Sequence, residues 1–233
     1  MTPSPLPEAV EVETAPDPRA SVIWLHGLGA DGHDFEPVVG EIDPLPVPVR
    51  YVFPHAPMQP VTINGGAVMR AWYDILGFDL VRREDETGVR ASQAIVEALI
   101  AREEARGIAR EAIVLAGFSQ GGAIVLHTGL RQSRPLAGVM ALSTYLPLAD
   151  KAAGESAAAG RALPIFFAHG RHDPIVALER AVASREALKA MGCAVEWHEY
   201  PMPHSVCAEE IRHIGAWLAR VLRPGAGSAP ARS

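Results

Sequence analysis

Six short apolar runs recur along the chain, at residues 21–25, 49–53, 113–116, 138–142, 164–168 and 194–200, and segments of helical spacing lie between most of them. Most of the runs are rich in Val, Ile or Phe and lack polar alternation, as strands buried on both faces do. That pattern restricts the chain to an α/β fold in which helices cover both faces of a mostly parallel sheet. A further run at 9–13 predicts an edge strand. Between residues 88 and 106, Val89, Ile95, Val96, Leu99 and Ile100 trace one helical face, Arg and Glu fill much of the other, and Gly107 can stop the helix. The segment 178–191 ends at Gly192 in the same way, and 206–222 places Ile211, Ile214, Leu218 and Val221 at helical steps before Pro224. Residues 54–77 break the alternation. They are rich in Pro and Gly and read as a long ordered loop of the kind that often contributes to a site.

The chain has 233 residues, within the range of one α/β domain. The expected organisation is a partly extended N-terminal segment (1–20), one domain (21–222) and a flexible Pro/Gly/Ala/Ser tail (223–233). Asp and Glu outnumber Lys and Arg by 27 to 21, and no basic cluster is present that could neutralise a row of phosphates, so nucleic acid is not an expected partner. No apolar stretch approaches the ~18 residues of a membrane span. Residues 1–10 carry neither a basic region nor a continuous apolar core, so no secretory signal is expected. Cys193 and Cys207 flank a predicted strand which, at ~3.3 Å per residue, holds them beyond disulfide reach. Reduced thiols give the expectation of a cytoplasmic protein.

The strongest chemical signal is Gly117-Phe118-Ser119-Gln120-Gly121, a G-x-S-x-G placed between the apolar strand 113–116 and the helix-compatible run 122–128. A nucleophile on a sharp strand-to-helix turn needs small residues two positions to either side, because bulkier ones collide as the backbone folds back. Serine reacts only when a base takes its proton, and in this arrangement the acid and then the histidine follow it in the chain. Asp173, in His172-Asp173-Pro174 just past a strand end, is the expected acid. Asp150, which opens an Ala/Gly-rich excursion, is the alternative, and an Asx turn is the competing role for Asp173. Of the three later histidines, His198 falls in a strand and His213 in a helix, while His204 lies in the loop between the last strand and the last helix. His204 is therefore the expected base, with Asp173 fixing its tautomer.

A tetrahedral intermediate needs two donors for its oxyanion. By position these are the backbone N–H groups of Gln120 and of Leu28, the latter in the Gly-flanked turn His26-Gly27-Leu28-Gly29. A metallohydrolase reading of His26, Asp31, His33, Asp34, His169 and His172 fails at sequence level, because Leu28 and Gly29 stand where the first histidines of an H-x-H-x-D-H set belong. No metal and no cofactor are expected.

Taken in order, the segments around His26-Gly27-Leu28-Gly29, Pro54-His55-Ala56-Pro57, Trp72-Tyr73-Asp74, Gly117–Gly122, His172-Asp173-Pro174 and Pro203-His204-Ser205 resemble the phospholipase/carboxylesterase family, from about residue 21 to 222. The resemblance implies an α/β-hydrolase fold without a large cap domain, with Ser119, Asp173 and His204 as catalytic triad and Leu28 and Gln120 as oxyanion donors. It makes Trp72 a wall of the acyl pocket and brings the expectation of a homodimer. The expected activity is that of a serine carboxylesterase on short- to medium-chain esters, a small-molecule ester or acyl substrate. The alternative is a lysophospholipase or acyl-protein thioesterase using the same triad.

Overall fold

In the computed structural model, which describes residues 6–42, 44–77 and 84–223, nine strands form in chain order. They are β1 (Ala9–Glu13), β2 (Ala20–Leu25), β3 (Val49–Pro54), β4 (Met58–Val61), β5 (Ala67–Arg70), β6 (Ile113–Phe118), β7 (Gly138–Leu142), β8 (Ile165–Gly170) and β9 (Val195–Tyr200). The helices are α1 (Glu86–Ala105), α2 (Gln120–Leu130), α3 (Ala149–Glu155), α4 (Ala158–Arg161), α5 (Leu178–Ala190) and α6 (Ala208–Val221). Residues 1–5 of the expected N-terminal segment and 224–233 of the expected tail lie outside the described residues.

Seven strands make one sheet in the order β1-β3-β2-β6-β7-β8-β9, parallel throughout except for β1, which runs antiparallel to β3 at the edge. The uniform apolarity of the central runs has its reason in burial on both faces: every residue of β2, β3, β7 and β8 is buried. Within each strand alternate residues serve opposite layers. Ile23, Leu25 and Leu115 pack with Val96, Leu99 and Ile124 of α1 and α2 and Leu188 of α5. Val22, Trp24 and Val114 pack with Ile214, Trp217 and Leu218 of α6 on the other face.

From β2 the chain steps outward to β3, and from β6 it steps the opposite way to β7, β8 and β9. Strand order thus reverses between β2 and β6, and the carboxyl ends of the strands at such a reversal are where open α/β sheets place their sites. Two segments carry more structure than the sequence indicates. Residues 54–77, expected as a loop, contain the antiparallel hairpin β4–β5, turned by Gly65 and Gly66 at φ 66° and 80°. Pro60 obscures that strand in the sequence, but in an isolated two-stranded ribbon a residue without an N–H can face outward. The excursion after Asp150 folds into α3 and α4, anchored by the buried Ala152 and Gly160.

Candidate active site

Ser119 joins β6 to α2 with φ 54° and ψ −118°, a conformation that costs of order 1–3 kcal/mol for a residue with a side chain. The surroundings enforce it. Ser119 N–H donates to the Leu142 carbonyl (2.9 Å), and the Ser119 carbonyl accepts from Ala123 N–H (3.1 Å) and Thr144 Oγ1 (2.6 Å). The spacing of the flanking glycines has a direct cause. A Cβ on Gly117 would stand 2.4 Å from the backbone of Gly121, and one on Gly121 would stand 2.4 Å from the Leu25 carbonyl.

His204, in the loop between β9 and α6, approaches Ser119 Oγ with Nε2 at 2.9 Å and Asp173 Oδ2 with Nδ1 at 2.6 Å. The ring is also packed on Phe118, with centroids 4.7 Å apart. Asp173 combines the two roles read from the sequence. Its Oδ1 accepts from Ile175 N–H (2.8 Å) and Val176 N–H (2.9 Å), closing an Asx-type turn, and this leaves Oδ2 aimed at His204. Behind it, the buried His169 Nε2 lies 2.9 Å from the Val176 carbonyl and steadies the same turn. Burial lowers the His169 pKa below the usual imidazole value, which favours the neutral ring. Asp150 is exposed in the first turn of α3, and no contact joins it to His204.

On the other side of Ser119 stands the turn after β2. Gly27 is close to the nucleophile, since a Cβ built on it would meet the Phe118 ring at 3.3 Å and Ser119 Cβ at 3.5 Å. Leu28 follows, half-buried. Gln120 opens α2, where an N–H has no intrahelical acceptor. Its side chain is a feature the sequence does not announce: Oε1 accepts from Trp72 N–H (2.8 Å) and Nε2 donates to the Tyr73 carbonyl (2.7 Å). Trp72, expected as a pocket wall, is 1% exposed and turned inward, its Nε1–H donating to the His26 carbonyl (2.9 Å). It therefore presents almost no surface to an open pocket.

Around the turn after β2, the histidines have protein partners of their own. His26 is buried, His55 Nδ1 accepts from Gly32 N–H, and His33 pairs with Glu36 in solvent. Among the described residues no group of three or more His, Cys, Asp or Glu side chains is placed to hold a metal ion, and no helix is long and apolar enough to cross a membrane. Cys193 and Cys207 are free thiols.

Acyl-protein thioesterase 1 of Mycosarcoma maydis is 42% identical over 221 residues, covering 88% of this chain and 92% of that protein. Among solved structures, Arabidopsis thaliana SOBER1 superposes with a TM-score of 0.83 at 33% identity, over 88% of this chain and 100% of that one. Zea mays acyl-protein thioesterase 2 does so with a TM-score of 0.83 at 27% identity, over 93% and 100%. The sequence pattern of the phospholipase/carboxylesterase family matches residues 7–222. The chain is an α/β-hydrolase and belongs to the phospholipase/carboxylesterase family.

Proposed function

We propose that the protein hydrolyses acyl thioesters and the corresponding oxygen esters through an acyl-Ser119 intermediate. The observation that carries this reading is the continuous path Ser119 Oγ, His204 Nε2, His204 Nδ1, Asp173 Oδ2, at 2.9 and 2.6 Å. As Ser119 Oγ bonds to the acyl carbon, its proton passes to His204 Nε2, and Asp173 stabilises the imidazolium from the Nδ1 side. The Leu28 and Gln120 N–H groups receive the oxyanion. Collapse breaks the bond to the leaving group, which takes the proton back from Nε2. Water then attacks the acyl carbon with His204 as base, the acyl–Oγ bond breaks as Ser119 Oγ takes the proton back from Nε2, and the carboxylic acid leaves.

The short-chain carboxylesterase expected from sequence is one substrate class for this chemistry. The names of the relatives favour the other, an acyl-protein thioesterase. A thiolate leaving group, with a thiol pKa near ~8.5, also asks less of His204 as an acid than an alkoxide does. The test is hydrolysis of a palmitoylated-cysteine peptide against p-nitrophenyl esters from acetate to palmitate, with Ser119→Ala and His204→Ala alongside. Both variants should fold and lose about 10⁵-fold or more of kcat. Long-chain thioester turnover exceeding butyrate ester turnover selects the thioesterase, and the reverse order selects the short-chain carboxylesterase. Normal turnover by Ser119→Ala overturns both.

A further inference from the structure

The two proposed oxyanion donors follow different strands, Leu28 after β2 and Gln120 after β6, yet a single run of buried hydrogen bonds joins their surroundings. The Gln120 side chain clamps the backbone of Trp72 and Tyr73, the Trp72 indole N–H holds the His26 carbonyl, and Ser92 Oγ holds the Trp72 carbonyl from α1. His26 is 2% exposed and both of its ring nitrogens are engaged. Nε2 faces the backbone N–H of Ala56 at 3.0 Å, so it must be the unprotonated acceptor. The ring proton therefore sits on Nδ1, which lies 2.7 Å from the Gly27 carbonyl and donates to it.

That last contact sets a direction. In a trans peptide the carbonyl of one residue and the N–H of the next point opposite ways in one plane. Fixing the Gly27 carbonyl toward the His26 ring thus turns the Leu28 N–H away from the ring, with Gly27 itself against Ser119. The following amide, Gly29 N–H, is tied to the Arg70 carbonyl at 2.9 Å, so the turn is pinned on both sides of Leu28.

We propose that His26, locked as the neutral Nδ1–H tautomer by Ala56, is the positioning residue that aims the Leu28 N–H at the developing oxyanion, and that Trp72 and the Gln120 side chain hold it in register with the second donor. The inference rests on the hydrolase reading above, with Leu28 and Gln120 as donors. A positioning residue of this kind acts on the transition state and leaves ground-state binding alone, so its loss falls on kcat.

The experiment compares His26→Gln, His26→Asn and Trp72→Phe, with Ser119→Ala as reference, on one p-nitrophenyl ester. The Gln amide reaches the Nε2 position and can still serve Ala56, but it gives up donation to the Gly27 carbonyl. The Asn amide occupies the Nδ1 position and keeps that donation. His26→Gln should lose about 10²- to 10³-fold in kcat with KM within about twofold of wild type, the range seen when one oxyanion donor is removed. His26→Asn should recover most of that loss. Trp72→Phe keeps the ring and removes only the indole N–H; it should lower kcat by roughly tenfold at unchanged KM. It also serves as the test if His26→Gln fails to fold, in which case wild-type kcat in Trp72→Phe overturns the inference. Equal kcat in folded His26→Gln and His26→Asn, or parallel damage to kcat and KM, shows that His26 only fills space. If Ser119→Ala abolishes turnover while His26→Gln matches wild type, this inference alone falls. If Ser119→Ala remains active, the hydrolase mechanism falls and takes this inference with it.

Discussion

Ser119 is held between two hydrogen-bonded systems of different kind. On the side of β8 and β9, titratable side chains face it: His204 directly and Asp173 behind, delivered by loops that follow their strands. On the side of β2 and α1 the proposed donors are backbone amides, and the side chains bonded to the backbone around them are buried: His26, Trp72 and Gln120. In the proposed mechanism the first system moves a proton. In the same proposal the second offers fixed dipoles to a charge that exists only in the transition state, and such dipoles act without reorganising because they are already in place.

The largest way to break that contrast is Asp173→Asn. The Asn carbonyl oxygen can keep both turn contacts, to Ile175 and Val176 N–H, so the loop should hold its shape. Its NH₂ group would then face His204 Nδ1, making that nitrogen the acceptor and placing the ring proton on Nε2, where it blocks uptake of the Ser119 proton. Loss of about 10⁴-fold in kcat is expected, with little change in thermal stability. Asp150→Asn should leave kcat at the wild-type level, and a large loss there would mean that the acid has been wrongly chosen.

On the dipole side the corresponding change is smaller. Gln120→Met keeps the length of the side chain and its own backbone N–H but leaves Trp72 N–H and the Tyr73 carbonyl without their buried partner. An unsatisfied buried polar group costs about 1–3 kcal/mol, and a loosened donor should lower kcat on the order of tenfold to a hundredfold. Here stability and kcat fall together, whereas Asp173→Asn separates them. Thermal melts and steady-state kinetics on the two variants would show whether the two systems differ as described.

The same difference explains what the sequence makes legible. Ser119, Asp173 and His204 stand out because the proposed chemistry is carried by their side chains and their chain order, each just past an apolar run, restricts the candidates to a few residues. The glycines at 117 and 121 stand out because their absence of Cβ is itself the requirement. The orienting side chains give no such signal. His26 reads as part of an ordinary Gly-flanked turn, and Trp72 as a pocket wall, because nothing in spacing reveals that an indole N–H reaches a carbonyl 46 positions away. The hairpin β4–β5 was hidden for a related reason: Pro60 argues against a strand locally, and only the pairing Pro60 with Val68 shows that its missing N–H is harmless.

The smallest expected effect concerns stability, and it assigns the two sides opposite responses to pH. Glu210 is fully buried in the first turn of α6, just beyond the His204 loop, and burial pushes its carboxyl up to about 8, opposed only in part by the Cys207 N–H. His127 is fully buried in the last turn of α2, with Nε2 2.9 Å from Gln93 Oε1; burial and then the nearby Arg131 push it down to about 3. Between the ordinary carboxyl value and about 8, the unfolded chain sheds the Glu210 proton while the folded one keeps it, so stability falls as pH rises. Between the ordinary imidazole value and about 3, the unfolded chain binds a proton at His127 that the fold refuses, so stability falls as pH drops. Glu210→Gln cannot ionise and should melt roughly 5 °C above wild type at pH 8, with the gain gone near pH 4.5. His127→Gln should show the mirror result, its advantage over wild type growing as pH is lowered from 7 to 4. Parallel wild-type and variant melting curves across that range would mean that neither buried group resists its charged form, and the two sides would then differ only in catalysis.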